Sequence, residues 1–261
     1  RLDRVDETVA AYERAAADSA GAPLARYLEF LVYFRRARFA EADRAVRQSI
    51  ALQPAANSQA GLAMLLLTAN GDAEEAARVV ASGPASLRHE HRIVWVTAYT
   101  HLVRRQPDDA LRTIDRLADT FIQDNWFVGP KAYFAGRAHA EAGRPEAARA
   151  AWEAGLAVVD ARLKTRPDSR DLHLARGELL AWLGRDEEAL REARTVEQLG
   201  RGRVFGWSSS PLVIFAALGR VAESLPLLQD QLQLTAERRN IGWPLTRELL
   251  RSDPRWDKIR S

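Results

Sequence analysis

The chain has 261 residues, of which 47% are apolar and 28% are charged. This balance is typical of a folded protein and argues against a disordered, collagen-like or membrane-embedded chain. The formal net charge of +3 is too small to predict a nucleic-acid surface by itself. Because the sequence contains no cysteine, disulfides, thiolate metal sites and cysteine nucleophiles are excluded.

A small residue recurs along the chain in a constant local setting, after acidic residues and four positions before an apolar residue. The first four occurrences are 34 residues apart, at Thr8, Ala42, Ala76 and Ala110. Three more follow at intervals of 38, 41 and 35 residues, at Ala148, Ala189 and Ser224. This spacing predicts an internal structural repeat, with insertions of a few residues between the later units.

Each unit predicts a pair of helices. An apolar segment of helical period precedes the small residue, and a polar turn separates the two, marked in four units by Gly71, Gly143, Gly184 and Gly219. Prolines end second helices or the turns after them, at Pro54, Pro84 and Pro167. No alternating strand pattern of comparable length competes with the helical period. The sequence therefore predicts an all-α chain of helix hairpins.

The repeat unit resembles the tetratricopeptide repeat (TPR). In the second unit the resemblance is carried by Tyr33, Ala37, Phe39, Ala42, Ile50, Leu52 and Pro54. In the fifth unit it is carried by Gly136, Gly143, Ala148, Trp152 and Leu156. The resemblance implies an α-solenoid, a right-handed superhelix of about seven TPR-like helix hairpins, followed by C-terminal capping helices.

The chain is expected to divide into two parts. Residues 1–234 form the repeat array, whose first repeat is incomplete because its first helix is missing, which predicts further chain upstream. Residues 235–261 break the pattern and form a capping segment, with Trp243 and Trp256 covering the final hydrophobic face. The string LLRSDPRWDKIR resembles the segment that closes TPR regions in bacterial multidomain signalling proteins. That resemblance implies an additional domain upstream in the same polypeptide.

Catalytic and metal-binding patterns are not found in the sequence. His89 and His91 flank Glu90, which is not the H-E-x-x-H spacing that places two ligands on one helical face. Paired acids such as Asp108 and Asp109 lie at the start of second helices, where they complement the helix dipole. No glycine-rich phosphate-binding motif is present. We therefore predict no catalytic residues, no cofactor and no metal site.

The first helices of stacked hairpins line the concave side of a solenoid, and their outward positions are the candidate binding surface. These positions are Tyr27, Phe34, Trp95, Tyr99, Tyr133, Arg137, Glu141, Glu178 and Trp182. Aromatic side chains beside an arginine and two acids suit a peptide or a partner helix. The alternative is that the aromatic residues fill the seams between neighbouring first helices.

The centre of this surface is expected across the fourth and fifth units. Trp95, Tyr99 and Tyr133 should align along one surface, and Arg137 lies one helical turn after Tyr133. An arginine there can hold a carboxylate bidentately. The predicted partner therefore presents an apolar or aromatic anchor next to an acidic group or a C terminus.

The leading hypothesis is a non-catalytic protein–protein interaction scaffold that binds a peptide or partner protein in its concave groove, as the regulatory part of a larger bacterial signalling protein. The alternative is a sensor domain that holds a small molecule or short peptide within the superhelix. A third class, an enzyme accessory or nucleic-acid-binding array, has little support from the net charge. No membrane insertion is predicted for this segment. A cytoplasmic location is favoured, although an upstream transmembrane segment would place the array outside the cytoplasm.

Overall fold

The computed structural model describes residues 21–124, 126–201, 207–233 and 243–260, together with Ala11 and Arg14. Apart from Ala11 and Arg14, the incomplete first repeat, with Thr8, lies outside these residues. In the described part, the repeat array consists of six helix hairpins, which correspond to the second to seventh predicted units. The prediction of an all-α helical-repeat solenoid is confirmed.

The first three hairpins pair α1 (Ala22–Arg35) with α2 (Phe39–Leu52), α3 (Ala56–Ala69) with α4 (Ala73–Ser82), and α5 (His91–Val103) with α6 (Pro107–Ile114). The next three pair α7 (Ala132–Glu141) with α8 (Pro145–Leu163), α9 (Arg170–Trp182) with α10 (Asp186–Leu199), and α11 (Leu212–Leu218) with α12 (Val221–Gln233). Single 3-10 turns lie at Ala85–Leu87 and Trp207–Ser209.

The repeated small residue is buried in every described unit. Its exposed fraction is at most 1% at Ala42, Ala76, Ala110, Ala148, Ala189 and Ser224. A neighbouring glycine shows how tightly a hairpin can close: a Cβ atom on Gly136 of α7 would lie 2.2 Å from Nε1 of Trp152 on α8. The fixed spacing in the sequence therefore marks close helix packing, as the sequence analysis proposed.

The turn within each hairpin has one residue in the left-handed conformation. Four of these residues are the glycines that the sequence marks, and the other two are Ala37 and Arg105, each with φ of 57°. The next residue closes the turn with a backbone bond, as when the amide of Gln106 donates to the carbonyl of His101 at 2.8 Å. The turn thus has the same geometry in all six hairpins, although alanine or arginine takes the place of glycine in two of them.

A short β-hairpin interrupts the helical pattern between α6 and α7. Strands β1 (Phe121–Gln123) and β2 (Val128–Pro130) pair antiparallel, with Ile122 opposite Gly129. The spacing of the repeated small residues predicts an insertion in this interval but no strand. Three-residue strands are too short to show a recognisable alternation, which explains why the pattern did not reveal them.

The chain ends in a segment that we call the C-terminal strap, residues 243–260. It contains α13 (Arg247–Ser252), a 3-10 turn (Pro254–Trp256) and α14 (Asp257–Arg260). The strap crosses the carboxyl ends of first helices. Trp243 and Thr246 donate hydrogen bonds to Thr68 at the end of α3, and Nζ of Lys258 donates to the Ala217 carbonyl near the end of α11 at 2.7 Å.

The strap explains the composition of α3. Every residue of this helix from Ser58 to Thr68 is buried. A helix that is apolar on all sides needs packing partners on all sides, including the concave side of the array. The strap supplies that partner, since α13 packs against α3.

The position of the strap differs from the expected one. Trp243 and Trp256 are both expected to cover the final hydrophobic face. Trp256 is fully buried in the 3-10 turn that packs against α11, the first helix of the last hairpin. Trp243 instead contacts Tyr99 of α5, with ring centroids 5.6 Å apart. The last helix of the repeat array, α12, keeps Val221 and Leu225 at least 40% exposed. Segment 243–260 therefore runs along the concave side, from α3 and Tyr99 of α5 to the end of α11. The division of the chain at residue 234 stays a prediction.

The repeat register can be tested with two alanines of the same helix. Ala148→Arg should destabilise the protein by about 3 kcal/mol or more, because a long charged side chain enters a closely packed contact. Ala150→Arg is the matched control, since Ala150 is exposed on α8, and it should change the free energy of unfolding by less than about 0.5 kcal/mol. Urea unfolding measures both, and equal effects would contradict the register.

Candidate functional site

A cavity of about 470 Å³ lies on the concave side of the array. Its wall is formed by first helices α5, α7, α9 and α11, with the loop of the β-hairpin and the strap contributing further residues. Six of the lining side chains are aromatic residues of α5, the hairpin loop and α7: Trp95, Tyr99, Trp126, Phe127, Tyr133 and Phe134. Volume and lining are typical of small-molecule sites.

Asp124 fixes the hairpin loop to α5. Its Oδ2 accepts hydrogen bonds from Nε of Arg92 at 2.8 Å and from Nε1 of Trp95 at 3.0 Å, and its Oδ1 accepts from the Trp126 amide at 2.7 Å. The Trp126 ring stacks on Phe34 of α1, with centroids 5.9 Å apart. The loop is therefore anchored at one wall of the cavity by both polar and aromatic contacts.

On the strap side, a buried polar network joins Asp253 and Arg255 to Tyr99 of α5. The Tyr99 hydroxyl donates to Oδ2 of Asp253 at 2.8 Å and accepts from Arg255 at 2.9 Å, while Nε of Arg255 donates to the same Asp253 oxygen at 2.7 Å. Burial alone would raise the pKa of Asp253, but the Arg255 guanidinium holds this pKa below its usual value. The network fixes the strap at the edge of the cavity, where Arg255 and Trp243 line the wall.

Arg137 of α7 is the exceptional charge in the cavity wall. It is only 3% exposed, yet its guanidinium makes no hydrogen bond with any residue that the structure describes. Its contacts are an ion pair with Glu141 at 3.9 Å and positions over the rings of Tyr133 and Trp182, at 5.9 and 5.5 Å. Buried polar groups normally have hydrogen-bond partners, so this fork of donors has unused capacity facing the cavity.

Glu178 of α9 lines the same cavity. Its Oε1 accepts a hydrogen bond from the Tyr133 hydroxyl at 3.0 Å. Burial raises the pKa of Glu178, although Arg255 and Arg137 act in the opposite direction. Burial also raises the pKa of Glu141, whose carboxylate oxygens have no hydrogen-bond partner among the described residues.

The structure brings some of the predicted surface residues together and separates others. Five of them line the cavity: Trp95, Tyr99, Tyr133, Arg137 and Glu178. Glu141 and Trp182 lie beside Arg137 but outside the cavity lining. Tyr27 and Phe34 are buried behind the hairpin loop, where the Tyr27 hydroxyl accepts from Arg92 at 3.0 Å and Phe34 stacks on Trp126. These two aromatic residues are therefore buried in the structure and do not line the cavity.

Sequence reasoning missed the residues that come from outside the first helices. Asp124, Trp126 and Phe127 lie in the insertion between α6 and α7, and Trp243 and Arg255 lie in the strap. The only sequence signal for the insertion is the longer interval between Ala110 and Ala148. No periodicity assigns such segments to the concave side, since they belong to neither helix of a unit.

The described residues contain neither a cluster of metal ligands nor a helix that could cross a membrane. No group of three or more histidines or acidic residues is arranged to hold a metal ion in the ranges 21–124, 126–201, 207–233 and 243–260. Among the helices of these ranges, none combines the length and the apolar character that crossing a bilayer requires.

Comparison with solved structures identifies the fold. PilF of Pseudomonas aeruginosa, a TPR protein, matches 85% of this chain and 96% of its own, with 16% identity and a TM-score of 0.51. The fold is that of a TPR solenoid. MamA of MSR-1 matches 69% of this chain and 97% of its own at 16% identity, with a TM-score of 0.40, and a MamA mutant matches 68% and 96% at the same identity and TM-score. No family model and no curated protein matches the chain.

The strap network can be tested with two aspartates of the same segment. Asp253→Asn should destabilise the TPR solenoid by about 3 kcal/mol at neutral pH, because it leaves Arg255 without its buried counter-charge. Because the pKa of Asp253 is lowered in the folded state, this stabilisation should be lost as the pH falls through that lowered pKa.

Asp257→Asn is the control. It removes an exposed ion pair with Arg105 at 2.7 Å and should cost about 1 kcal/mol or less. Chemical denaturation across a pH series measures both variants. A control variant as destabilised as Asp253→Asn would show that the buried network does not hold the strap.

Proposed function

We propose that this chain is a non-catalytic binding scaffold of the sensor type, which encloses a small anionic ligand in the cavity on its concave side. The observation that carries the proposal is Arg137, a buried guanidinium that lines the cavity without a hydrogen-bond acceptor among the described residues. A ligand that supplies the acceptor would satisfy the donors of Arg137. Such a domain fits the expectation that the chain is the regulatory part of a larger bacterial signalling protein.

The chemistry of the wall favours a carboxylate on an apolar body. A planar guanidinium binds a carboxylate through two parallel hydrogen bonds, which gives both energy and orientation. The rings of Trp95, Phe127 and Phe134 offer apolar surface for the rest of the ligand, since their centroids lie within 4.8–6.3 Å of one another. The proposed ligand is therefore a small carboxylic acid with an aromatic or aliphatic group.

A second candidate is the interaction scaffold that binds a peptide or a partner protein in the groove. The observation that favours it is the strap itself, because a segment of extended chain and short helices already occupies part of the concave side. A partner segment of similar character could replace it. In that case the network of Tyr99, Asp253 and Arg255 is a contact that the partner must displace.

The cavity proposal predicts selective binding of hydrocinnamate, a carboxylate on a phenyl body, over its uncharged amide. The difference should be at least about tenfold in affinity, since hydrogen bonds to charged groups contribute about 1.5–3 kcal/mol. Intrinsic fluorescence reports the binding, because Trp95, Trp126 and Trp243 line the cavity. Calorimetry gives the affinity.

Arg137→Met should abolish the preference for the acid. Arg137→Lys keeps the charge without the bidentate fork and should weaken binding less, which provides a second measurement if the first variant folds poorly. Arg149→Met is the control, because Arg149 is 65% exposed and distant from this cavity lining. If acid and amide bind the parent protein equally, or if Arg149→Met has the same effect as Arg137→Met, the proposal is wrong.

Loosening the strap separates the two candidate functions. Asp253→Asn removes the charge that pairs with Arg255 and so loosens the strap, whose Arg255 and Trp243 line the cavity. The enclosed-ligand function therefore predicts weaker hydrocinnamate binding. The scaffold function predicts the reverse for a peptide in the groove, which should bind more tightly once the strap is easier to displace. A synthetic peptide with the sequence of residues 243–260, added in trans to both proteins, is the probe for that second outcome.

A further inference from the structure

Two side chains of opposite charge line the cavity without forming an ion pair with each other. Arg137 is on α7 and Glu178 is on α9, and no ion pair within 4.0 Å joins them. The Glu178 carboxylate is held through one oxygen by the Tyr133 hydroxyl. The other oxygen, Oε2, makes no hydrogen bond with the residues that the structure describes. The cavity therefore presents one acceptor, Oε2 of Glu178, and the guanidinium donors of Arg137, and neither group has a hydrogen-bond partner in the described chain.

The remaining charges of the cavity have partners or lie at its rim. Asp124 accepts from Arg92 and Trp95, and Arg255 is paired with Asp253. Asp171 is exposed in the first turn of α9, where an acid complements the helix dipole. Within the cavity, Arg137 and Glu178 are thus the two charged side chains that keep hydrogen-bonding atoms without a partner in the described chain.

A ligand that carries only a carboxylate would satisfy Arg137 and leave the half-buried Glu178 carboxylate without a counter-charge beside it. Burial of a charge without a counter-charge is costly, and a hydrogen bond from a charged donor is about twice as strong as one from a neutral donor. The complementary ligand therefore has an ammonium group near its carboxylate. Free α-amino acids have this arrangement, whereas the C terminus of a peptide does not.

We propose that the cavity binds a free amino acid with an apolar side chain, its carboxylate on Arg137, its ammonium group on Glu178 and its side chain against the aromatic wall. This assignment rests on the proposed ligand-binding function and names its ligand class. Tyr133 acts as a positioning residue, since its hydroxyl orients the Glu178 carboxylate. Arg137 lies one helical turn after Tyr133, so one helix fixes both ends of the site.

The test compares compounds that differ only in the amino group. The first pair is L-phenylalanine and hydrocinnamate, and the second is L-leucine and isocaproate. Affinity is measured by calorimetry and intrinsic fluorescence for the parent protein, for Glu178→Gln and for Arg137→Met. Glu178→Gln keeps the size of the side chain and an acceptor for Tyr133, so the fold should be preserved, and a thermal melt checks this.

We expect the parent protein to bind at least one amino acid about tenfold or more tightly than its deaminated partner, a difference that one charge-assisted hydrogen bond supplies. Glu178→Gln should remove this preference while leaving the affinity for the deaminated acid within about twofold. Arg137→Met should weaken binding of both members of each pair by about tenfold or more, because both carry the carboxylate. Tyr133→Phe should reduce the preference without abolishing it, because the Glu178 carboxylate stays in place but loses its orienting bond.

Two results overturn the inference, and they differ from the result that overturns the ligand-binding function. If hydrocinnamate and isocaproate each bind as tightly as the corresponding amino acid, the ammonium site does not exist, although the carboxylate site on Arg137 stands. If Glu178→Gln retains the full preference for the amino acid, another group recognises the ammonium. If no acid of either pair binds in an Arg137-dependent manner, the proposed function fails together with the inference.

Discussion

Close packing at one small residue in each second helix is the constraint on which the rest of the structure depends. Alanine or serine at this position, buried in all six described hairpins, allows the two helices of a unit to approach each other. Hairpins of this kind bury little apolar surface alone, and stacking gives them a continuous core. The same stacking aligns α5, α7, α9 and α11 side by side, and the cavity wall is built from their concave faces.

The inner surface of this solenoid is not an open groove, because two segments outside the repeat pattern reach it. The hairpin loop is fixed through Asp124, and the strap is fixed through the buried network of Tyr99, Asp253 and Arg255. Each attachment combines hydrogen bonds of charged groups with aromatic contacts. The hydrogen bonds fix the orientation of the segment, and the aromatic contacts bury apolar surface. The result is a cavity of small-molecule size. Without the two segments, the concave face would be an open groove with room for an extended peptide.

The charges in the cavity are not arranged for maximum stability. Arg137 is buried without a hydrogen bond to the described chain, and burial raises the pKa of Glu178 in the cavity and of Glu141 beside it. A core built only for stability would place apolar residues at such positions. Strained or unsatisfied groups are characteristic of functional sites, and here they lie together on one side of the array.

The sequence by itself determined the fold class, the repeat register and the positions of four hairpin turns at glycines, because these depend on periodic contacts between neighbouring units. It also predicted that Trp95, Tyr99, Tyr133, Arg137 and Glu178 belong to one surface, since their positions recur in consecutive first helices. Only the tertiary structure decided that Tyr27 and Phe34 support the hairpin loop, and that Trp243 and Arg255 turn an open surface into a cavity. Those contacts join residues far apart in sequence, such as Tyr99 and Asp253, and no local pattern encodes which distant segment packs against a given helix.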